Sequence, residues 1–270
     1  MSDANSVQLR DAATVMLVRD GADGLEVFML RRNLNSDFVG GAYVFPGGAV
    51  DEADRHEDLE RVARGRTDAA ASHLLGIERG GLAYWVAAVR ECFEEAGVLL
   101  ACDPAGTVLS LADEATAQRF SEHRDAVNDG TRRFIEVLDA EELDILAGEI
   151  HYFSHWITPV GPPRRYDTRF FVAAAPPEQV PLHDDAETIA NLWVRPQDAL
   201  ERHRAGELEM IFPTIKNLEA IARFDAAEDL LAHAASVQSV PPIQPRIVQE
   251  EGGGMRILMP GDPGFEEAAS

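Results

Sequence analysis

The segment that most constrains this chain is Leu82 to Gly97, LAYWVAAVRECFEEAG. Leu82, Val86, Val89, Phe93 and Ala96 recur at steps of three and four, which predicts a helix over about residues 82–96 with one apolar stripe. Gly97 is placed to end it, because glycine readily takes the left-handed conformation that closes helices. On the same helix Glu91, Glu94 and Glu95 fall at i, i+3 and i+4, so three carboxylates share a face. Like charges at those spacings destabilise a bare helix by ~0.2–0.5 kcal/mol per pair. Something should compensate. On an ordinary charged face Arg90 and water are enough. The sharper alternative is a divalent cation, since hard cations take oxygen ligands and often rest on a few carboxylates plus a substrate phosphate.

Around this helix the apolar pattern switches to short runs. Thr14–Val18 and Leu25–Leu30 flank Asp20-Gly-Ala-Asp-Gly24 and predict a β-hairpin. Ala42–Phe45 predicts a strand that ends in a turn at Pro46-Gly47-Gly48. Residues of about 51–81 and 105–148 are mixed in polarity and predict helical insertions. Strands are expected at His151–Ile157, Arg169–Ala173 and Asn191–Val194. Pro196 opens a helix, and a second is expected from about Pro213 to Ala234. Pro241-Pro242 then breaks the chain, and Arg246–Gln249 and Met255–Met259 flank Glu-Glu-Gly-Gly-Gly as a terminal β-hairpin. Strands interleaved with helices, without an internal repeat, predict one α/β (α+β) domain over residues 10–235 and an extension over 236–270.

Composition narrows the class. At 270 residues and 46% hydrophobic, the chain can bury one large core or two small ones. It has no run near the ~20 apolar residues of a membrane helix. Its N-terminus is polar and acidic, without the basic start and apolar middle of a secretory signal. Two cysteines, Cys92 and Cys102, make no secreted disulfide framework. The expected setting is the cytoplasm. Formal charge is −23 and Lys216 is the only lysine, which argues against nucleic acid or an anionic membrane as partner.

The flanks of the carboxylates carry a resemblance. Arg90, Glu91, Glu94, Glu95, Gly97 and Val98, with Cys92 in an apolar slot, resemble the second half of the Nudix box, Arg-Glu-apolar-X-Glu-Glu-X-Gly-apolar. The first half departs from it. Gly48 and Arg90 are separated by 41 residues, against 13 in the uninterrupted box, so the box is split by about 28. The early glutamate that pairs with the arginine in the family then has three candidate replacements, Glu52, Asp54 and Glu78. Split boxes occur in the branch resembling peroxisomal coenzyme A diphosphatases. Phe38–Gly48 and Phe153–Phe171, with Trp156-x-Thr-Pro and Arg165-Tyr-Asp-Thr, are similar to that branch too. The likeness spans roughly residues 10–220 and leaves the last 50 unexplained.

The resemblance implies a Nudix-type α/β/α sandwich with a mixed central sheet, and hydrolysis of a nucleoside diphosphate linked to another moiety, coenzyme A or acyl-coenzyme A among the candidates. It implies Mg²⁺ or Mn²⁺ held by Glu91, Glu94, Glu95 and the carbonyl of Gly47, with Arg90 orienting a ligand glutamate. A general base comes in the family from the loop before the last core strand, here His183 to Glu187. Glu187 is the candidate and Asp185 the reserve. Arg31, Arg32, Arg164, Arg165 and Arg169 are candidates for substrate phosphate, with Asp167 as a residue that holds one of them in place. Coenzyme A-specific members often carry an arginine where this chain has Asp37. Alternatives are a Nudix-fold sensor that binds a nucleotide without cleaving it, or a diphosphatase acting on ADP-ribose, nucleotide sugars or dinucleoside polyphosphates. The terminal hairpin offers either a homodimer contact or a cover for the site. His151 and His155 stand too far apart on a strand to chelate one ion. Trp156 and Trp193 read as core, Cys92 has no activating histidine, and no Gly-x-Ser-x-Gly is present.

Overall fold

A computed structural model describes residues 7–34, 40–55, 58–184, 187–249 and 253–268. Its strands are β1 (Leu9–Gly21), β2 (Gly24–Arg32), β3 (Tyr43–Val44), β4 (Gly47–Ala49), β5 (Ala101–Cys102), β6 (Asp144–Ile145), β7 (His151–Ile157), β8 (Arg165–Ala174), β9 (Thr188–Val194), β10 (Pro242–Ile243), β11 (Arg246–Gln249) and β12 (Met255–Leu258). Its α-helices are α1 (Asp68–Leu75), α2 (Leu82–Ala96), α3 (Glu114–Asn128), α4 (Phe134–Ala140), α5 (Pro196–Arg204), α6 (Phe212–Ile221) and α7 (Ala227–Ser236).

A mixed sheet runs in the order β10-β7-β8-β1-β2-β3, with β4 beside β1 and β9 beside β2. The parallel pairs are β1–β8 and β10–β7; the other pairings in this sheet are antiparallel. Side chains on a strand alternate between faces, and β1 is apolar on both. Ala13, Val15 and Leu17 enter one core with α2, while Met16 and Val18 enter a second with α5, α6 and α7. Two apolar faces need two covering layers. The result is an α/β/α sandwich with α2 on one face and α5–α7 on the other. No helix among the described residues is long and apolar enough to cross a membrane.

Several expectations are corrected. Gly47 and Gly48 do not form a turn; they are a strand, paired antiparallel with Thr14 and Ala13. The helix expected from Pro213 to Ala234 is two helices. Asp225 O accepts from Leu25 N, and Asp20 Oδ1 accepts from Ala227 N, so the hairpin tip holds the chain between α6 and α7 out of helix. Strand β8 begins at Arg165, four residues before the expected Arg169. The insertion before α2 holds two short 3₁₀ turns, Glu52–Arg55 and Leu59–Val62, besides α1. In the C-terminal extension β11 and β12 pair antiparallel, Ile247 opposite Ile257.

Candidate active site

The site is built on α2. Its N-terminal amides are taken by the preceding insertion: Asp68 accepts from Gly80 N and Leu82 N, and Ser72 Oγ accepts from Gly81 N. At the other end Gly97 adopts φ 67°, and its N–H bonds back to Phe93 O. Between these ends the helix is buried almost all round, including Arg90 and Glu95, so it is more enclosed than one apolar stripe implies. Trp85 anchors it, donating Nε1 to Ile150 O at 2.9 Å.

Arg90, 7% exposed, finds its partner in Asp54, 2% exposed. Nε donates to Oδ1 and Nη2 to Oδ2, both at 2.9 Å, a two-pronged carboxylate pair. Nη2 also reaches Ala49 O at 2.9 Å, and Nη1 reaches Glu91 Oε1 at 2.9 Å and Glu94 Oε2 at 3.0 Å. Burial alone would lower this guanidinium's pKa. The hydrogen bonds to Asp54 and the charges of Glu91, Asp54 and Glu94 outweigh burial and raise it. Of the other two candidate partners, Glu52 and Glu78 are exposed.

The glutamates pay an electrostatic penalty. Burial is the largest cause for each, and it pushes Glu91 up to about 7 and raises Glu94 and, strongly, Glu95. Arg90 opposes this at Glu91 and Glu94, while neighbouring carboxylates add to it. Glu95 is also raised by Glu91 and Glu187 and lowered by the Gly47 hydrogen bond and Arg32. Gly47 N donates to Glu95 Oε2 at 2.9 Å.

Gly47 and Gly48 act by close approach. A Cβ on Gly48 would lie 2.4 Å from Glu91 Oε1, and one on Gly47 would lie 2.5 Å from Thr14 Oγ1. Their missing side chains let the helix carboxylates pass β4 into a cleft of about 710 Å³. Glu91, Glu94, Glu95 and Asp51 form its acidic side, with Arg90 among them, and Arg10, Arg32, Arg164 and Glu187 also line it.

The arginine candidates separate. Arg32 and exposed Arg164 line the cleft. Arg31 is absent from the cleft lining; its Nε donates to Gly41 O, and its guanidinium lies 5.9 Å from the Tyr43 ring centroid. Arg165 is buried and donates to Thr158 O and Pro159 O, and it is absent from the cleft lining. Arg169 is buried over the Tyr84 ring and paired with Asp167, which also bonds His155 Nε2 at 2.5 Å. Arg31, Arg165 and Arg169 thus do not line the cleft. Asp185 and Asp37 lie outside the described residues. Sequence reasoning missed Arg10, Thr14, Tyr166 and Thr168. They share one face of β1 and β8, where Arg10 pairs with Tyr166 and Ala12 with Thr168. Polar residues at steps of two on otherwise apolar strands were the available signal.

The donor chemistry suits a hard divalent ion: carboxylate oxygens, crowded and short of positive charge. Among the described residues, no three His, Cys, Asp or Glu side chains converge as a ready-made metal site, and Arg90 engages Glu91 and Glu94. A cation and Arg90 would share those oxygens.

A model of the NUDT19 Nudix domain matches residues 69–221, the segment that contains α2 and its carboxylates. The chain belongs to the Nudix hydrolase family. The acyl-coenzyme A diphosphatase NUDT19 of Homo sapiens is 31% identical, covering 89% of this chain and 72% of that one. Its counterpart in Gallus gallus is 30% identical, covering 82% and 70%. The crystal structure of a Nudix hydrolase from Alicyclobacillus acidocaldarius superposes with a TM-score of 0.69 at 31% identity, covering 88% of this chain and all of that one. This Nudix hydrolase thus carries the second half of its box on α2 and the residues that end it. Asp54 holds the arginine from outside the matched segment.

Proposed function

We propose that this Nudix hydrolase cleaves the diphosphate linkage of coenzyme A or an acyl-coenzyme A. The observation that carries the reading is the cleft, where three crowded glutamates stand with Arg10, Arg32 and Arg164 in one cavity. A doubly charged diphosphate needs cations on every side, and this acidic chain concentrates them here. The diphosphatase names of the relatives support the choice of substrate.

Glu91, Glu94 and Glu95 are the proposed metal-holding residues, with the Gly47 carbonyl as a further oxygen. Mg²⁺ or Mn²⁺ there would neutralise phosphate oxygens and lower the pKa of bound water. Arg32 and Arg164 bind phosphate oxygens and orient the phosphorus for in-line attack. Glu187, whose charge already acts on Glu95, accepts the proton of the attacking water. Arg90 is a positioning residue, fixing Glu91 and Glu94 while tied to Asp54.

The test is a substrate panel with Mg²⁺ or Mn²⁺: coenzyme A, acyl-coenzyme A, ADP-ribose, nucleotide sugars and dinucleoside polyphosphates. Cleavage of the coenzyme A class, reduced by orders of magnitude in folded Glu95→Gln, is expected. Cleavage confined to another class would replace the substrate, and metal-independent cleavage would remove the carboxylates from the chemistry. Full turnover in Glu187→Gln would strike Glu187 as the base.

A further inference from the structure

The second helical insertion supplies no lining residue to the cleft, yet one of its side chains joins two parts of the site. Arg124, on α3, reaches the C-terminal end of α2 and donates Nε to Glu94 O at 2.8 Å. Its Nη2 donates to Leu182 O at 3.1 Å, and Leu182 N donates to Ala96 O at 2.9 Å. The backbone of Leu182 is thus held from both sides, by the helix and by a side chain that grips the same helix. A cation suits this place, because the end of a helix carries partial negative charge and carbonyls without helical partners. Gly97 leaves room for it: a Cβ there would lie 3.1 Å from Arg124 Nη1.

Leu182 opens the loop that leads to Glu187. Asp184 accepts from Thr188 N at 2.8 Å and from Glu187 N at 3.2 Å, and Glu187 O accepts from Asn33 N at 2.8 Å. Burial lowers the pKa of Arg124, and the carboxylates of Asp184, Asp125 and Glu95 act against it. Loop and glutamate helix therefore lie within electrostatic reach of one guanidinium. The two differ in their need of a brace. Helix α2 is buried almost all round and anchored by Trp85. Leu182 is 57% exposed, so backbone bonds rather than packing hold the start of the loop.

We infer that Arg124 is a positioning residue: by tying the loop to the end of α2, it sets Glu187 against the metal-holding glutamates. This rests on Glu187 as the base. A base must stand within hydrogen-bond reach of the attacking water, and a misplacement of about 1 Å can cost about 100-fold in rate. The second insertion thereby gains a part in turnover without touching substrate.

The experiment is a double-mutant cycle on kcat and KM, with Mg²⁺ and coenzyme A or the panel compound cleaved fastest. Its members are the wild type, Arg124→Ala, Glu187→Gln and the double variant. Arg124→Ala should lower kcat about 10- to 100-fold and leave KM within about twofold. In the Glu187→Gln background the same substitution should change kcat by less than about twofold, since the group it positions is already gone. Arg124→Lys keeps the charge at the helix end, so it should fold even if Arg124→Ala does not, and it then takes its place in the cycle. With one nitrogen in place of the fork, it should lose kcat likewise. Wild-type kinetics in Arg124→Ala, an equal loss in both backgrounds, a rise in KM alone, or full kcat in Arg124→Lys would overturn the proposal and leave Glu187 as the base. Full turnover in Glu187→Gln, or no cleavage of any panel compound, would instead remove the base and Arg124's role with it.

Discussion

The three glutamates of the cleft stand on one helix, and its basic wall on the ends of separate strands. On α2, Arg90 is gripped by Asp54, Ala49, Glu91 and Glu94 before any ligand arrives. Opposite it, Arg32 ends β2, Arg164 precedes β8 and is exposed, and Arg10 lies near the start of β1. The contrast follows from what each wall must do. Carboxylates forced together must be held by the fold, because their repulsion would drive them apart. Arginines that meet an anion can be recruited from exposed positions at little cost in stability. The acidic wall should therefore govern folding as well as turnover, and the basic wall should govern substrate binding and orientation with little effect on folding.

Asp54→Ala strikes the acidic wall hardest. It strands a buried guanidinium, and removing one partner of a buried pair costs about 3–5 kcal/mol. Urea denaturation should show that loss, while Arg164→Ala stays within about 0.5 kcal/mol of wild type. Equal losses in the two variants would erase the contrast.

Titration comes next. Glu91's carboxyl is raised in the fold, mainly by burial, from near 4.5 to about 7. A raised carboxylate is more costly to ionise folded than unfolded. Its contribution is thus favourable below pH ~4.5 and is lost as pH climbs through about 7. In chelator, stability should fall across that window by up to about 3 kcal/mol. Glu91→Gln should flatten the slope, and Mg²⁺ should restore stability more at pH 8 than at pH 5. A slope untouched by the substitution would place its origin elsewhere.

Gly48→Ala probes the passage past β4. The new methyl meets the Glu91 carboxylate at 2.4 Å, so the carboxylate must move. Overpacking of this kind costs about 1–3 kcal/mol, and a displaced reacting group can cost about 100-fold in turnover. Wild-type kcat in this variant would show that Glu91 need not sit where it does. The smallest effect belongs to the basic wall. Arg32→Ala should raise KM about tenfold, near 1.4 kcal/mol, with melting temperature unchanged, whereas Arg31→Ala should leave KM within about twofold. A reversed order would mean that Arg31, not Arg32, meets the substrate.

Legibility in the sequence follows the same divide. A 3.6-residue period placed α2 and put Glu91, Glu94 and Glu95 together, because a helix fixes the spacing of its own side chains. Asp54 could not be chosen over Glu52 and Glu78, since the residues between it and Arg90 set no fixed distance. The ladder irregularity between Arg31 and Arg32 and the start of β8 at Arg165 separate each cleft-lining arginine from its neighbour, and neither is marked locally in the sequence. Gly47-Gly48 has the composition of a turn, and only pairing with Ala13 and Thr14 makes it a strand. Nothing local marks the break between α6 and α7, where Asp225 O and Ala227 N bond to a hairpin some 200 residues earlier.

The short strand β10 has one more consequence. It is the last strand at its end of the central sheet, and it begins with Pro242 directly after Pro241. An open strand edge is a template on which other chains can stack, and proline has no N–H to offer such a template. This short segment thus caps the sheet against growth. A version of this protein lacking the segment would expose the β7 edge, and its first symptom at high concentration would be aggregation.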